Sequence, residues 1–319
     1  MNFVSLDKKQ LKGLVALWNK HLESEFPMTE ELFKQNSFDD DNVCDKGSQV
    51  AVTDEGALIG FVVAKHWQED LDVAMSATTG WIQVLLVDED YRNQGIGSRL
   101  LAHAEKHLKA HGAEQILLGR DPYHYFPGIP SEYKQTAQWF EKKGYHHEGT
   151  EFDLIGTYTD EDDKSKQVPQ MDGVEFTLLR HDEKDELLAF LNRCFPGRWE
   201  YEAIHYFEKG GTGREFAVLK KKNEIIGFCR INDAESPFIA QNVYWSPLFD
   251  EELGGAGPLG VDAKERGQGF GLAIVEAGIA FLRQRGIRRI VIDWTGLVDF
   301  YKKLSYIPWK SYESYKKVL

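Results

Sequence analysis

The feature that most constrains this chain is an internal repeat. Arg92-Asn93-Gln94-Gly95-Ile96-Gly97 and Arg266-Gly267-Gln268-Gly269-Phe270-Gly271 lie 174 positions apart. At the same offset Val87-Asp88 falls on Val261-Asp262, Leu100-Leu101 on Ile274-Val275, Gly112 on Gly286, and Ile116 and Leu118 on Ile290 and Ile292. Solenoid and propeller units repeat every 20 to 50 residues or so, so a period this long makes each copy a domain of ordinary size. The 319 residues read as a tandem duplication. Its halves, 1–164 and 165–319, divide in the charged stretch Thr159 to Pro169, which has the composition of a surface connector.

Both halves carry the same pattern. In the first, a short strand at Phe3 to Leu6 precedes a helix over Asp7 to Glu23, with Leu11, Leu14, Val15 and Trp18 on one face. Gln49 to Thr53 and Ala57 to Lys65 are β-rich and flank the hairpin punctuation Asp54-Glu55-Gly56. The second half repeats this at Phe216 to Lys220 and Ile225 to Ile231. Each half then gives a strand (Trp81 to Val87; Leu259 to Val261), the glycine signature, a long helix stopped at Gly112 or Gly286, and another strand. The order β-α-α-β-β-β-α-β-α-β predicts a mixed α/β (α+β) fold with a partly antiparallel sheet and helices on both faces, not a doubly wound parallel sheet.

Composition excludes several classes. With 42% hydrophobic and 28% charged residues the chain is globular. No apolar run approaches the roughly 20 residues that span a bilayer, and Asp7, Lys8 and Lys9 stand where a signal peptide would be apolar, so a soluble cytoplasmic protein with no membrane partner is expected. A net charge of −13 opposes nucleic acid and favours cationic small molecules. Cys44, Cys194 and Cys229 are scattered, and His124, His146, His147 and His205 lack ligand spacing. Neither a disulfide framework nor a metal site is expected.

A strand that delivers Arg-x-x-Gly-x-Gly into a helix N-terminus presents successive backbone N–H groups to an anion, and the helix dipole adds favourable potential. Arg92, Asn93, Gln94, Gly95, Ile96 and Gly97, with Arg266, Gly267, Gln268, Gly269, Phe270 and Gly271, are thus candidate pyrophosphate cradles. Neither ends in the Gly-Lys-Ser/Thr of a nucleotide P-loop, and neither completes a dinucleotide fingerprint.

On these signatures, and on Phe140-Glu141-Lys142-Lys143-Gly144-Tyr145 and Tyr301-Lys302-Lys303-Leu304-Ser305-Tyr306 downstream, the chain resembles the GNAT superfamily of acyl-CoA-dependent N-acetyltransferases, in the tandem layout of the mycothiol synthase group. The resemblance implies two splayed, mostly antiparallel sheets. It also implies acetyl-CoA as cofactor, with pantetheine against the strand before each motif: Leu85, Leu86 and Val87 in the first half, Leu259, Gly260 and Val261 in the second. Trp294 occupies the place of a cofactor-contacting asparagine, and Ser305 that of a glycine. Tyr301 takes the slot of the tyrosine that protonates the departing thiolate, whereas the first half has Phe140. Catalysis is therefore expected in the second half, with a first half that is not catalytic.

A base is harder to choose among Asp293, Asp250, Glu251 and Glu252; Asp293 follows the apolar Ile290-Val291-Ile292, where burial would raise its pKa. Acceptor recognition is expected from Phe195 to Trp199, Gln241 to Trp245, or Asp121 to Gly128, the last an insertion better read as a buttress between the halves. The expected reaction is direct acetyl transfer to the amine of a small cationic acceptor by a monomer or homodimer. The alternatives are an acyl-CoA-binding sensor and a protein N-terminal or lysine acetyltransferase.

Overall fold

The apolar runs and glycine stops resolve, in a computed structural model that describes residues 1–319, into two matching series of elements. The first is β1 (Asn2–Ser5), α1 (Leu11–Leu22), α2 (Glu30–Phe33), β2 (Gln49–Val52), β3 (Leu58–His66), β4 (Thr79–Val87), α3 (Ile96–Ala110), β5 (Gln115–Leu118), β6 (Ile129–Pro130), α4 (Lys134–Glu141) and β7 (His146–Thr157). The second is β8 (Glu175–Leu178), α5 (Lys184–Cys194), α6 (Arg198–Glu208), β9 (Phe216–Lys221), β10 (Glu224–Asn232), β11 (Leu253–Val261), α7 (Phe270–Gln284), β12 (Arg289–Thr295), α8 (Val298–Tyr301) and β13 (Ile307–Val318). Apart from the two-residue β6, both follow the expected order.

Packing forms two units that are not contiguous in sequence: Met1–Leu71, Ser76–Glu151 and Ser311–Leu319 make the first, Asp72–Met75 and Phe152–Lys310 the second. In the first, β1 to β4 are antiparallel neighbours, β5 runs parallel to β4, and the end of β13 pairs antiparallel with β5, Lys316 opposite Leu117. In the second, β8 to β11 are antiparallel, β12 is parallel to β11, and the end of β7 pairs with β12, Ile155 opposite Val291. The packing division thus falls inside β7 and β13, not at the 164/165 boundary read from composition. A charged connector marks where the chain is solvated, whereas strand pairing is long-range and leaves no local signal. The connector itself is anchored within the second unit, where the buried Arg283 donates to the Ile287 carbonyl (2.8 Å) and to Ser165 Oγ (3.0 Å).

Helical periodicity sets the cores. On α3, Leu100, Leu101, Ala104 and Leu108 pack with Val62, Ala64 and Ile82; on α7, Ile274, Val275, Ala277 and Leu282 pack with Cys229, Ile231 and Ile290. A separate cluster joins α5 and α6 to β9 and β10 through Phe190, Leu191, Tyr206, Val218 and Phe228. No helix is long and apolar enough to cross a membrane.

Two details create room for a ligand. Parallel pairing ends at Ile82–Leu118 in the first unit and Gly255–Val291 in the second, so Leu85–Val87 and Leu259–Val261 leave their parallel partners and the sheet splays. Each splay follows a register shift, opposite Val63/Ala64 in β3 and opposite Cys229/Ile231 in β10. The insertion after β5 packs into the first unit itself: Tyr125 and Phe126 lie against Trp18 at 5.1 and 5.6 Å between centroids, and Ser37 Oγ bridges Tyr125 Oη (2.7 Å) and Gln83 Oε1 (2.8 Å).

Tyr315, 3% exposed in the first unit's core and bonded to Glu141 at 2.8 Å, ties the end of the chain to that unit. Tyr315→Ala should destabilise it by about 3–5 kcal/mol, measured by urea unfolding. A loss below about 1 kcal/mol would show that the C-terminal strand is dispensable for this core.

Candidate cofactor and catalytic site

The two signatures fold alike. Asn93 and Gly267 have φ of 62° and 82°, and Gly95 and Gly269 have φ of 84° and 83° as the N-caps of α3 and α7. These are left-handed conformations that glycine and asparagine enter most readily. Arg92 Nε donates to the Val87 carbonyl at 3.0 Å and Arg266 Nε to the Val261 carbonyl at 3.2 Å. Gln94 and Gln268 turn back onto the Asp90 and Glu265 carbonyls at 3.4 and 3.3 Å. Arginine and glutamine thus hold the loop in shape. Neither helix has a side-chain N-cap, so the N–H groups of its first turn are available to an anion.

In the first unit this cradle opens into a cavity of about 630 Å³, lined by Leu85–Val87, Arg92, Asn93, Gly95–Ser98, Tyr133, Trp139 and Phe140. The volume suits a cofactor-sized ligand. His21 also lines it; its Nε2, 3.7 Å from Asp88 Oδ1, has no hydrogen-bond partner. Trp139 lies 3.6 Å from where a Cβ on Gly97 would stand, and Phe300 takes the same position against Gly271 at 4.0 Å. Each ring is followed by the residue in the candidate catalytic slot, edge-on at 4.9 Å: Phe140 in the first unit and Tyr301 in the second.

Tyr301 is 5% exposed, and burial, reinforced by the nearby Cys229 and Asp293, pushes its pKa well above the usual phenol value. It is a phenol, not a phenolate, near neutrality. Asp293 accepts from Asn242 Nδ2 at 3.1 Å. Burial, and then Glu202, push its pKa up, against the pull of Arg198 and Asn242. Asp293 is thus near enough to Tyr301 for its charge to be felt there.

Trp294 sits in the register shift of β12 with φ of 42°, an outlier for a bulky residue. Its N–H donates to Asp153 Oδ1 at 3.0 Å, and the Arg198 guanidinium covers its ring at 4.4 Å. Gly260 receives the Phe195 ring, which would stand 2.3 Å from an added Cβ. Leu259 and Val261 pack with the core on the α7 side.

Sequence reasoning missed the polar cluster beside Asp293. Glu202 and Arg230, 4% and 3% exposed, approach each other at 3.9 Å, and Arg198 Nε donates to Glu202 Oε1 at 2.7 Å. Asn242 Nδ2 also reaches the Gly257 carbonyl at 3.2 Å. Arg198 Nη1, Glu200 Oε2, Arg230 Nε and Asn232 Oδ1 are buried without a hydrogen-bond partner. The available signal was Glu200 and Glu202 among the aromatic residues of α6, an unusual place for carboxylates.

A profile of the acetyltransferase (GNAT) family matches residues 14–125 and 184–306, one match in each repeat. The chain belongs to the GNAT family. An uncharacterized N-acetyltransferase of Methanocaldococcus jannaschii is 30% identical over 135 residues, 40% of this chain and 59% of that protein. A mycothiol acetyltransferase of Thermobispora bispora is 31% identical over 137 residues, 38% of this chain and 40% of that one. The chain thus spans about half the length of the curated relatives it matches. A solved glucosamine N-acetyltransferase region of a fungal multi-domain β-N-acetylglucosaminidase superposes on 99% of this chain and 38% of that one, with a TM-score of 0.86 and 26% identity. A tandem GNAT protein from clavulanic acid biosynthesis gives a TM-score of 0.69 over 99% of this chain and 98% of that one, at 15% identity. Two splayed GNAT folds in tandem are what the repeat encodes.

The raised pKa of Asp293 links this GNAT site to stability. Below about pH 4 the carboxyl is protonated folded or unfolded and contributes no difference. As pH rises the unfolded chain ionises first, so stability falls until the folded pKa is passed. Asn can still accept from Asn242, so Asp293→Asn should melt higher than the unsubstituted protein at neutral pH and converge with it in acid. A variant that melts lower at neutral pH would mean that the protein stabilises the carboxylate.

Proposed function

We propose that the protein is an acetyl-CoA-dependent N-acetyltransferase of the cytoplasm, whose second unit acetylates the amine of a small cationic acceptor, an amino sugar. The observation that carries this reading is the pairing of a buried, protonated Tyr301 with Asp293, whose raised pKa makes it a stronger base than an ordinary carboxylate. Asp293 takes a proton from the ammonium and frees its lone pair. The amine nitrogen attacks the thioester carbonyl carbon, and backbone N–H groups of the splayed β11 polarise the carbonyl oxygen. The C–S bond breaks as Tyr301 gives its proton to the thiolate, and the extra proton on the new C–N nitrogen passes to the Tyr301 phenolate, leaving a neutral amide, a free thiol and a restored phenol.

The acceptor class rests on two supports. The glucosamine N-acetyltransferase region of the fungal enzyme superposes on nearly this whole chain at 26% identity. The second unit also has groups that suit a hexosamine: the Asp293 carboxyl for the ammonium, and buried polar atoms of Asn232 and Arg230 without protein partners for hydroxyls. The first unit keeps the cradle and its cavity, but Phe140 has no proton to give and the Tyr125–Phe126 insertion is packed on Trp18. It therefore serves as a cofactor-binding unit without turnover.

Tyr301→Phe should lower kcat by about 10²-fold or more with KM for acetyl-CoA little changed, while Phe140→Tyr changes neither. Steady-state assays with glucosamine, spermidine and an aminoglycoside as acceptors measure both points. Acetyl-CoA binding by calorimetry without turnover on any amine would favour the sensor reading, and full activity in Tyr301→Phe would remove this tyrosine from the mechanism.

A further inference from the structure

Away from both cradles, three side chains of the first unit meet where sequence spacing gives no hint of a site. Cys44 lies in the turn before β2, His66 ends β3, and His111 caps the C-terminus of α3. The Cys44 thiol and one ring nitrogen from each histidine all fall within 4.8 Å of one another. From this geometry we propose that Cys44, His66 and His111 bind a first-row transition metal ion, with Zn²⁺ as the natural occupant.

Both histidines are oriented for the role. His111 Nδ1 lies 2.7 Å from the His107 carbonyl and His66 Nδ1 lies 3.2 Å from the Trp67 carbonyl. A proton held on Nδ1 by a carbonyl leaves Nε2 as a lone-pair donor, the arrangement that outer partners impose on metal-bound imidazoles. Cys44 is 3% exposed, and Gly47 makes room for its sulfur, since a Cβ there would stand 2.9 Å from Sγ.

The Gly47 and Lys46 backbone N–H groups are directed at that sulfur, but burial outweighs them and holds Cys44 as a thiol until a metal ion displaces its proton. The histidine rings stack at 4.9 Å with 26° between their planes. The carbonyl end of α3 adds negative potential, which partly offsets the positive charge of Lys46 and Lys106 around His107.

One thiolate and two imidazoles are the donor set of Zn²⁺ and related borderline ions, not of Mg²⁺ or Ca²⁺. Binding replaces the Cys44 S–H bond with a metal–sulfur bond and releases one proton to solvent. The exposed His111 leaves the fourth position to water.

The test titrates Co²⁺ into the full-length, chelator-treated protein and then displaces it with Zn²⁺. The expected result is a thiolate-to-cobalt charge-transfer band that saturates at one equivalent and is bleached by Zn²⁺. Cys44→Ser should abolish the band. The surface substitution His111→Gln, which does not threaten the core, should weaken Zn²⁺ by about tenfold or more. Absence of the band in the unsubstituted protein, or equal affinity in His111→Gln, overturns the site.

Discussion

Each glycine cradle in this protein is held in shape by a hydrogen bond from an arginine to the end of a strand. Arg92 on Val87 and Arg266 on Val261 tie the loop back, and Asn93, Gly267, Gly95 and Gly269 absorb the sharp turn in left-handed conformations. The helix then begins without a side-chain cap. Its first N–H groups are left unpaired by the protein, a local cost that a bound phosphate group would remove. The arginine, the residue most easily taken for a phosphate ligand, therefore works largely on the protein itself.

From that shared scaffold the halves diverge. The first keeps a roomy cavity over its cradle and lines it with Phe140, while its insertion adds aromatic bulk around Trp18. The second places a phenol and a carboxylate in electrostatic reach of each other, with Asn242 and Arg198 beside the carboxylate and Arg198 Nη1 buried without a hydrogen-bond partner. An atom of this kind is costly to leave unsatisfied. The outlying φ of Trp294 in the same region is consistent with strain held at a site of function.

Much of this was legible in the residues because the governing signals are local. Glycine stops, alternation and helical faces gave both series of elements in the right order, and the doubled signature located both cradles. What stayed hidden depends on contacts distant in sequence. The exchange of the β7 and β13 ends depends on pairing partners, which a charged connector does not report. The carboxylates of α6 and the Asn242 amide converge on Asp293 only in three dimensions. His66 and His111, 45 positions apart with Cys44 further upstream, had no spacing that a linear reading would recognise.

The end of β13 also bears on how the molecule is made. Residues 311–319 belong to the first unit, whose other segments end at Glu151, so a nascent chain exposes most of that unit long before its closing strand exists. At ribosomal rates the intervening segment takes roughly 10–30 s to synthesise, while the edge of β5 waits unpaired, a surface open to wrong partners. Of the two units, the one made earlier is thus the one completed later, and synthesis that stops anywhere in the second half leaves it without its closing strand.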